Sequence, residues 1–61
     1  MNRINEIRRR NNLTYKDIAK KTDLTESYIC LLANGRRKNP SKETMIKIAK
    51  ALNSTVQEVF F

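Results

Sequence analysis

Apolar residues recur along this chain at the spacing of a helix rather than at the alternation of a strand. The strongest periodic signal follows Ser41, where four apolar positions fall at i, i+3, i+4 and i+7. They are Met45, Ile48, Ala49 and Leu52. Ser41 is a typical N-cap residue, and Asn53 tolerates the left-handed conformation that stops a helix. The pattern therefore predicts a helix with one buried face between these two residues.

Shorter patterns predict two helices in the first part of the chain. Ile4 and Ile7 share a face, which indicates a helix from Arg3 to Asn11 with a basic end. Thr14 to Asp17 has the form of a capping box, so a second helix should begin at Tyr15 and end near Thr22. Asp23 tolerates the turn conformation that follows it.

Two further helices complete the predicted fold. Thr25 is a plausible N-cap and Gly35 a left-handed stop, which frames a third helix that buries Ile29 and Leu32. Arg36 to Pro40 should form a loop, because Pro40 keeps the preceding residue out of the helical region. Thr55 to Glu58 is a second capping box and opens a short last helix. We predict an all-α, five-helix fold in a single domain spanning residues 1–61.

The net charge of the chain favours a polyanionic partner. Thirteen Lys and Arg against six Asp and Glu leave a net charge of +7 and a pI near 10.1. Nucleic acid is the first candidate and an anionic membrane the second. No apolar run approaches the roughly 20 residues that span a bilayer, and no signal-peptide pattern is present. We expect a protein that is neither inserted nor exported.

The numbers of cysteine and histidine residues limit the disulfide and metal chemistry open to this chain. Cys30 is the single cysteine and there is no histidine, so neither an intramolecular disulfide nor the usual zinc ligand sets can form. The carboxylates are scattered without paired spacing. We expect a reduced, cytoplasmic setting, no metal or other cofactor, no small-molecule ligand and no enzymatic activity.

Four short segments form a pattern whose order and spacing are more specific than any one piece. They are Ile18 and Ala19, Thr25 to Ile29, Asn34 to Arg36, and Ala49 to Leu52. In these segments the chain resembles the lambda-repressor-like helix-turn-helix family of phage repressors, Cro proteins and XRE-like bacterial regulators, and the similarity covers nearly the whole chain. The resemblance implies a helix-turn-helix made by the second and third helices, with the third helix, from about Thr25 to Asn34, in the major groove of double-stranded DNA.

The resemblance also implies roles for individual residues. Those that read base edges would be Glu26, Ser27 and Leu31. Three cations directly after the third helix suit the phosphate backbone, namely Arg36, Arg37 and Lys38. By resemblance, further backbone contacts come from Thr14, Tyr15, Thr25, Tyr28 and Asn34. A solvated loop is the alternative for the cations, and core packing is the alternative for Tyr15.

This chain departs from the family pattern at four positions. Tyr15, Asp23, Leu31 and Ala33 stand where family members commonly carry Gln, Gly, a long polar residue and Glu. The missing glutamate would pair with an arginine matching Arg8, so we expect Arg8 to stay solvated or to find another acceptor such as Glu43. A carboxylate at Glu26 is repelled by phosphates unless it meets a base donor, so it would reject wrong sequences.

The end of the chain is rich in apolar residues. We expect part of this surface to form a homodimer, which would place two recognition helices in successive major grooves of an inverted repeat. The residues concerned are Val56, Val59, Phe60 and Phe61. Alternatively, all but Phe61 close the core of the monomer.

The function expected is a sequence-specific, double-stranded-DNA-binding transcriptional regulator that acts as a repressor on an operator. The alternative is a protein-interaction module, such as an antitoxin or anti-regulator, built on the same fold.

Overall fold

A computed structural model describes residues 2–61, and within them the chain forms five α-helices and no strand. In order they are α1 (Ile4–Arg10), α2 (Tyr15–Thr22), α3 (Glu26–Ala33), α4 (Lys42–Ala51) and α5 (Val56–Phe60). The predicted all-α, five-helix fold is confirmed, and the ends of α1 lie one residue inside the predicted range. None of these described helices is long and apolar enough to cross a membrane.

Side-chain caps begin four of the helices. The Thr14 hydroxyl accepts from the Asp17 amide at 3.0 Å, and the Asp17 carboxylate accepts from the Thr14 amide at 2.8 Å, which makes the predicted capping box of α2. Thr55 and Glu58 form the same box at α5. The hydroxyls of Thr25 and Ser41 cap α3 and α4. Each cap contributes about 1 kcal/mol to stability.

Left-handed residues separate the helices. Asp23 follows α2 with φ of 63°, Gly35 follows α3 with φ of 73°, and Asn53 follows α4 with φ of 56°. Asn39, directly before Pro40, also has φ of 56°, which keeps it out of the right-handed helical region as predicted. These turns are local features of the sequence, since Gly, Asn and Asp adopt positive φ at the least cost.

One hydrophobic core joins residues of all five helices. α2 packs against α3 and α4, and α5 packs against α1 and α4. The core side chains are Ile4, Ile7, Ile18, Ile29, Leu32, Ile48, Ala49, Ala51, Leu52 and Val59. The predicted face of α4 is buried at three of its four positions, while Met45 at its N-terminal end is half-buried.

Arg8 does not use the acceptor suggested by the sequence. Its Nη1 donates to the carbonyl oxygen of Leu13 at 3.0 Å, and its guanidinium lies 4.5 Å from the centre of the Tyr15 ring. Glu43 instead lies 3.8 Å from Lys47, one turn along α4. Arg8 therefore finds another acceptor, as expected. The example of Glu43 was wrong, because a backbone carbonyl and an aromatic face closer to α1 satisfy the guanidinium.

The C-terminal apolar residues show three levels of burial. Val59 is 1% exposed and belongs to the monomer core, so it cannot contact a second copy, which corrects the expectation for this residue. Val56 and Phe60 are half-buried against the core. Phe61 is 82% exposed. The surface available for a second copy is thus narrower than the sequence suggested.

Candidate nucleic-acid interface

α2 and α3 form a tight helix-turn-helix. The Thr22 hydroxyl donates to the Ile18 carbonyl oxygen at 2.8 Å and accepts from the Leu24 amide at 3.3 Å, so the buried end of α2 and the turn are joined by one side chain. Ile18 and Ile29 are both fully buried, one on each helix of the pair. The turn between the helices therefore has a fixed shape, and α3 is held at a defined angle to α2.

The outer face of α3 carries the three candidates for base readout. Glu26 and Ser27 in its first turn are exposed, and Leu31 is 37% exposed. Together with Tyr15 and the half-buried Cys30, they line one shallow depression. The structure thus brings the three predicted residues onto one accessible surface, while the opposite face of α3 is buried.

Backbone hydrogen bonds hold the start of the loop after α3 against the last turn of that helix. The amides of Arg36 and Arg37 both donate to the Leu31 carbonyl oxygen, at 2.9 and 3.1 Å, and the Gly35 amide donates to Leu32 at 3.1 Å. The Arg37 guanidinium lies 5.4 Å from the centre of the half-buried Tyr28 ring. These hydrogen bonds fix the start of the basic loop against the end of the candidate recognition helix.

The cationic side chains of this loop are accessible to solvent. Arg36, Arg37 and Lys38 are all exposed. Neither ion pair between side chains within residues 2–61 involves them. A surface arginine or lysine that is not neutralised by a nearby carboxylate keeps its charge available for a phosphate.

The N-terminus of α2 offers backbone donors on the same side of the molecule as α3. The first amides of a helix have no partner within it, and the Asp17 amide is already bonded to Thr14. The amides of Tyr15 and Lys16 are therefore the ones that an external anion can reach. Lys16, which the sequence reasoning did not select, is exposed and adds a cation at this helix end.

Thr14 and Thr25 cap the two helices of the pair, and Thr25 keeps a free donor. Their hydroxyls each accept from a helix amide, at 3.0 Å for Thr14 and 3.1 Å for Thr25. The Thr14 hydroxyl also donates to the Asp17 carboxylate, so its single hydrogen is already used. Within residues 2–61 the Thr25 hydroxyl donates to no acceptor, so it keeps its hydrogen for a phosphate oxygen. Both residues are exposed at the start of a helix of the pair.

Tyr15 and Asn34 are held by a residue that the sequence reasoning missed. The Tyr15 hydroxyl donates to Asn5 Oδ1 at 2.8 Å, and Asn5 Nδ2 donates to Asn34 Oδ1 at 3.3 Å. Because a phenol has one hydrogen, Tyr15 cannot also donate its hydroxyl to a phosphate while this bond persists. Tyr15 and Asn34 lie 10 and 29 residues from Asn5, so no local pattern could have revealed that it joins them.

A carboxylate stabilises the α2 terminus from within. The hydrogen bond from the Thr14 amide lowers the pKa of the Asp17 carboxyl most, and the hydrogen bond with the Thr14 hydroxyl lowers it less. The charges of Lys20 and Lys21 make smaller contributions. Asp17 is thus charged throughout the neutral range, and its charge favours the positive end of the helix dipole.

Comparisons with known proteins agree with this geometry. The family model described as "Helix-turn-helix" matches residues 4–59. An uncharacterised HTH-type transcriptional regulator of Archaeoglobus fulgidus is 33% identical over 58 residues, which are 95% of this chain and 80% of that protein. The chain belongs to the helix-turn-helix family of DNA-binding transcription regulators.

Two solved structures share the fold. The restriction-modification controller protein C.AhdI from Aeromonas hydrophila has a TM-score of 0.84 and 30% identity, over 92% of this chain and 83% of that one. A chain of the SinR/SinI protein complex has a TM-score of 0.82 and 24% identity, over 90% of this chain and 53% of that one. The lambda-repressor-like resemblance deduced from the sequence is confirmed.

Proposed function

We propose that this protein is a sequence-specific, duplex-DNA-binding transcriptional regulator that inserts α3 into the major groove of an operator. The observation that carries the proposal is the arrangement of α3, whose outer face is accessible while both of its ends adjoin backbone donors and cations. Glu26, Ser27 and Leu31 then face base edges. The named relatives are a transcriptional regulator and a controller protein, which supports a regulatory role.

The phosphate contacts that we propose flank this helix on two sides. On one side are the amides of Tyr15 and Lys16, at the helix end that Thr14 caps, with the hydroxyl of Thr25. On the other side are Asn34 and the loop cations Arg36 to Lys38. Tyr28 contributes by supporting Arg37 through its ring. Such contacts set the orientation of the protein on the duplex, and the exposed face of α3 supplies the sequence preference.

Repression is the mode of regulation that we propose. A bound protein of this size covers an operator near a promoter and excludes polymerase. We further propose that two copies bind an inverted repeat and that the protein acts in the cytoplasm. Val56, Phe60 and Phe61 are the residues left for contact between the copies, because Val59 is buried.

A second function is favoured by the apolar part of the α3 face. Leu31 and Cys30 border the same depression as Glu26, and Phe61 is exposed at the other end of the chain. An antitoxin or anti-regulator built on this fold would use such residues to dock a protein. Salt separates the two functions, because binding through phosphates weakens steeply with added salt and an apolar protein interface does not.

Fluorescence anisotropy of labelled duplex DNA at several salt concentrations tests the proposed function. We expect the logarithm of the affinity to fall linearly with the logarithm of the salt concentration, with a slope set by the number of phosphate contacts. Lys38→Ala should make that slope shallower by about 1. Lys50→Ala is the matched control, because it removes an equally exposed lysine at the far end of α4 from the loop.

Equal slopes for wild type and Lys38→Ala would remove Lys38 from the phosphate contacts. Salt-independent or undetectable binding of every duplex by the wild-type protein would contradict the proposed function and favour a protein partner.

A further inference from the structure

Asn5 lies where three structural elements meet. Its Oδ1 accepts from the Tyr15 hydroxyl at 2.8 Å and from Arg8 Nε at 3.1 Å, and its Nδ2 donates to Asn34 Oδ1 at 3.3 Å. Asn5 is half-buried on α1, whereas Tyr15 begins α2 and Asn34 ends α3. One side-chain amide therefore joins the first helix to both outer ends of the helix-turn-helix.

Arg8 makes the Tyr15 side of this network rigid. Its guanidinium is stacked on the Tyr15 ring at 4.5 Å, while its Nη1 donates to the Leu13 carbonyl oxygen at 3.0 Å. A planar guanidinium with a stacked face and two directed hydrogen bonds has little freedom to rotate. The hydroxyl of Tyr15 is therefore held at Asn5, and the first turn of α2 is held with it.

Asn34 makes the other side rigid. Its Nδ2 donates to the Cys30 carbonyl oxygen at 2.8 Å, so the side chain folds back over the last turn of α3. Its Oδ1 accepts from Asn5, and the basic loop begins two residues later. The position of Asn5 therefore also fixes where the chain leaves α3.

The two ends joined by Asn5 are the two sides of the proposed phosphate contacts. A duplex presents its phosphates at fixed spacings, so donors that are held at a matching separation bind without the cost of ordering. We propose that Asn5 is a positioning residue for DNA binding, which holds the N-terminus of α2 and the C-terminus of α3 at the separation that the backbone of duplex DNA requires. The inference rests on the proposed function, and Asn5 itself need not touch DNA.

Asn5→Ala tests this role, and Asn11→Ala is its matched control. Asn11 follows α1 and donates from Nδ2 to the Leu52 carbonyl oxygen at 2.9 Å, so it also ties α1 to another helix but lies outside the network. Both variants should unfold at a lower temperature than wild type. At a temperature where circular dichroism shows all of them folded, we expect Asn5→Ala alone to bind a fluorescein-labelled duplex about tenfold more weakly.

The salt dependence separates positioning from stability. Asn5→Ala should show a slope shallower by about 1, because one side of the phosphate contacts no longer engages fully. A lower melting temperature with unchanged affinity and slope would overturn the inference. Absence of binding by the wild-type protein would overturn the proposed function as well, so the two failures are distinguishable.

Tyr15→Phe provides a second, independent variant. It removes the hydroxyl that donates to Asn5 and leaves the ring beneath Arg8. If the hydroxyl acts through Asn5, the affinity lost in the Asn5→Ala, Tyr15→Phe double variant should equal that of Asn5→Ala alone rather than the sum of the two single losses. Additive losses would show that Tyr15 meets the DNA directly, and would overturn the positioning role.

Discussion

At the start of α2, the Asp17 carboxylate accepts from the Thr14 amide at 2.8 Å, and this bond lowers the pKa of Asp17. A group whose pKa is lower in the folded than in the unfolded protein stabilises the fold above its unfolded pKa, about 3.9 for aspartate. That stabilisation disappears as the pH falls through the folded pKa. The capping box therefore makes the free energy of unfolding depend on pH in the acid range.

We expect the Asp17→Asn variant to be less stable than wild type above about pH 5, because the charged cap is lost. The difference in the free energy of unfolding should shrink as the pH falls below about 3.9. Urea unfolding followed by circular dichroism between neutral and acid pH measures it.

Asp23→Asn is the control for this experiment, because it removes a carboxylate from the other end of the same helix, where a left-handed residue is required and Asn suits it equally. It should keep the pH dependence of the wild type. A difference between Asp17→Asn and wild type that does not change with pH would contradict the role given to the capping box.

Residue-scale features were predictable where they are local. The partners in the two capping boxes are three positions apart, so Thr14 with Asp17 and Thr55 with Glu58 could be recognised from the sequence. The partners of Asn5 depend on how α1 packs against α2 and α3. For the same reason the acceptor of Arg8 was misjudged, since the sequence does not show which carbonyl oxygen lies within reach of a half-buried guanidinium.

Among the elements, α3 is the one to which we assign the sequence preference. Its two faces could be predicted because Ile29 and Leu32 are one turn apart, and both are almost fully buried. The family resemblance identified Glu26, Ser27 and Leu31 on the outer face. What the sequence did not show is that Tyr15 borders the same depression, because this depends on the angle between α2 and α3.

Leu31→Gln should change the base preference without changing the fold. Leu31 is 37% exposed, so its replacement leaves no cavity, whereas loss of an apolar contact to a thymine methyl group alters the readout at about one base pair. Binding-site selection with the variant should return a changed base at that position, at a cost of about 1–3 kcal/mol for the original base.

Ile46→Gln is the matched control for Leu31→Gln. Ile46 is 38% exposed, so both substitutions place the same polar side chain at an equally accessible apolar position, but Ile46 lies on α4. It should return the wild-type preference. An unchanged preference for Leu31→Gln would remove Leu31 from the readout.

At the scale of the whole molecule, the exposed end of the chain bears on assembly. Phe61 is 82% exposed at the edge of a groove that Leu32, Met45 and Phe60 also line. The sequence showed an excess of apolar residues here, but only packing shows that Val59 serves the core and Phe61 does not.

Phe61→Ser tests the proposed dimer. Wild-type protein should sediment as a dimer on a duplex that carries an inverted repeat, and the variant should require a higher concentration to do so, because the exposed ring no longer contributes apolar contact. Ile46→Ser, which removes a large apolar side chain elsewhere on the surface, should behave as wild type. A wild-type protein that sediments as a monomer both with and without DNA would rule the dimer out.

In the proposed complex, α3 reads duplex DNA while the two ends of the helix lie against the phosphate backbone. Selection of bound sites from a random duplex library with the purified protein is the decisive measurement. We expect enrichment of a defined sequence, arranged as an inverted repeat whose half-sites are about 34 Å apart. A library that remains random after repeated selection would contradict sequence-specific DNA binding by this protein.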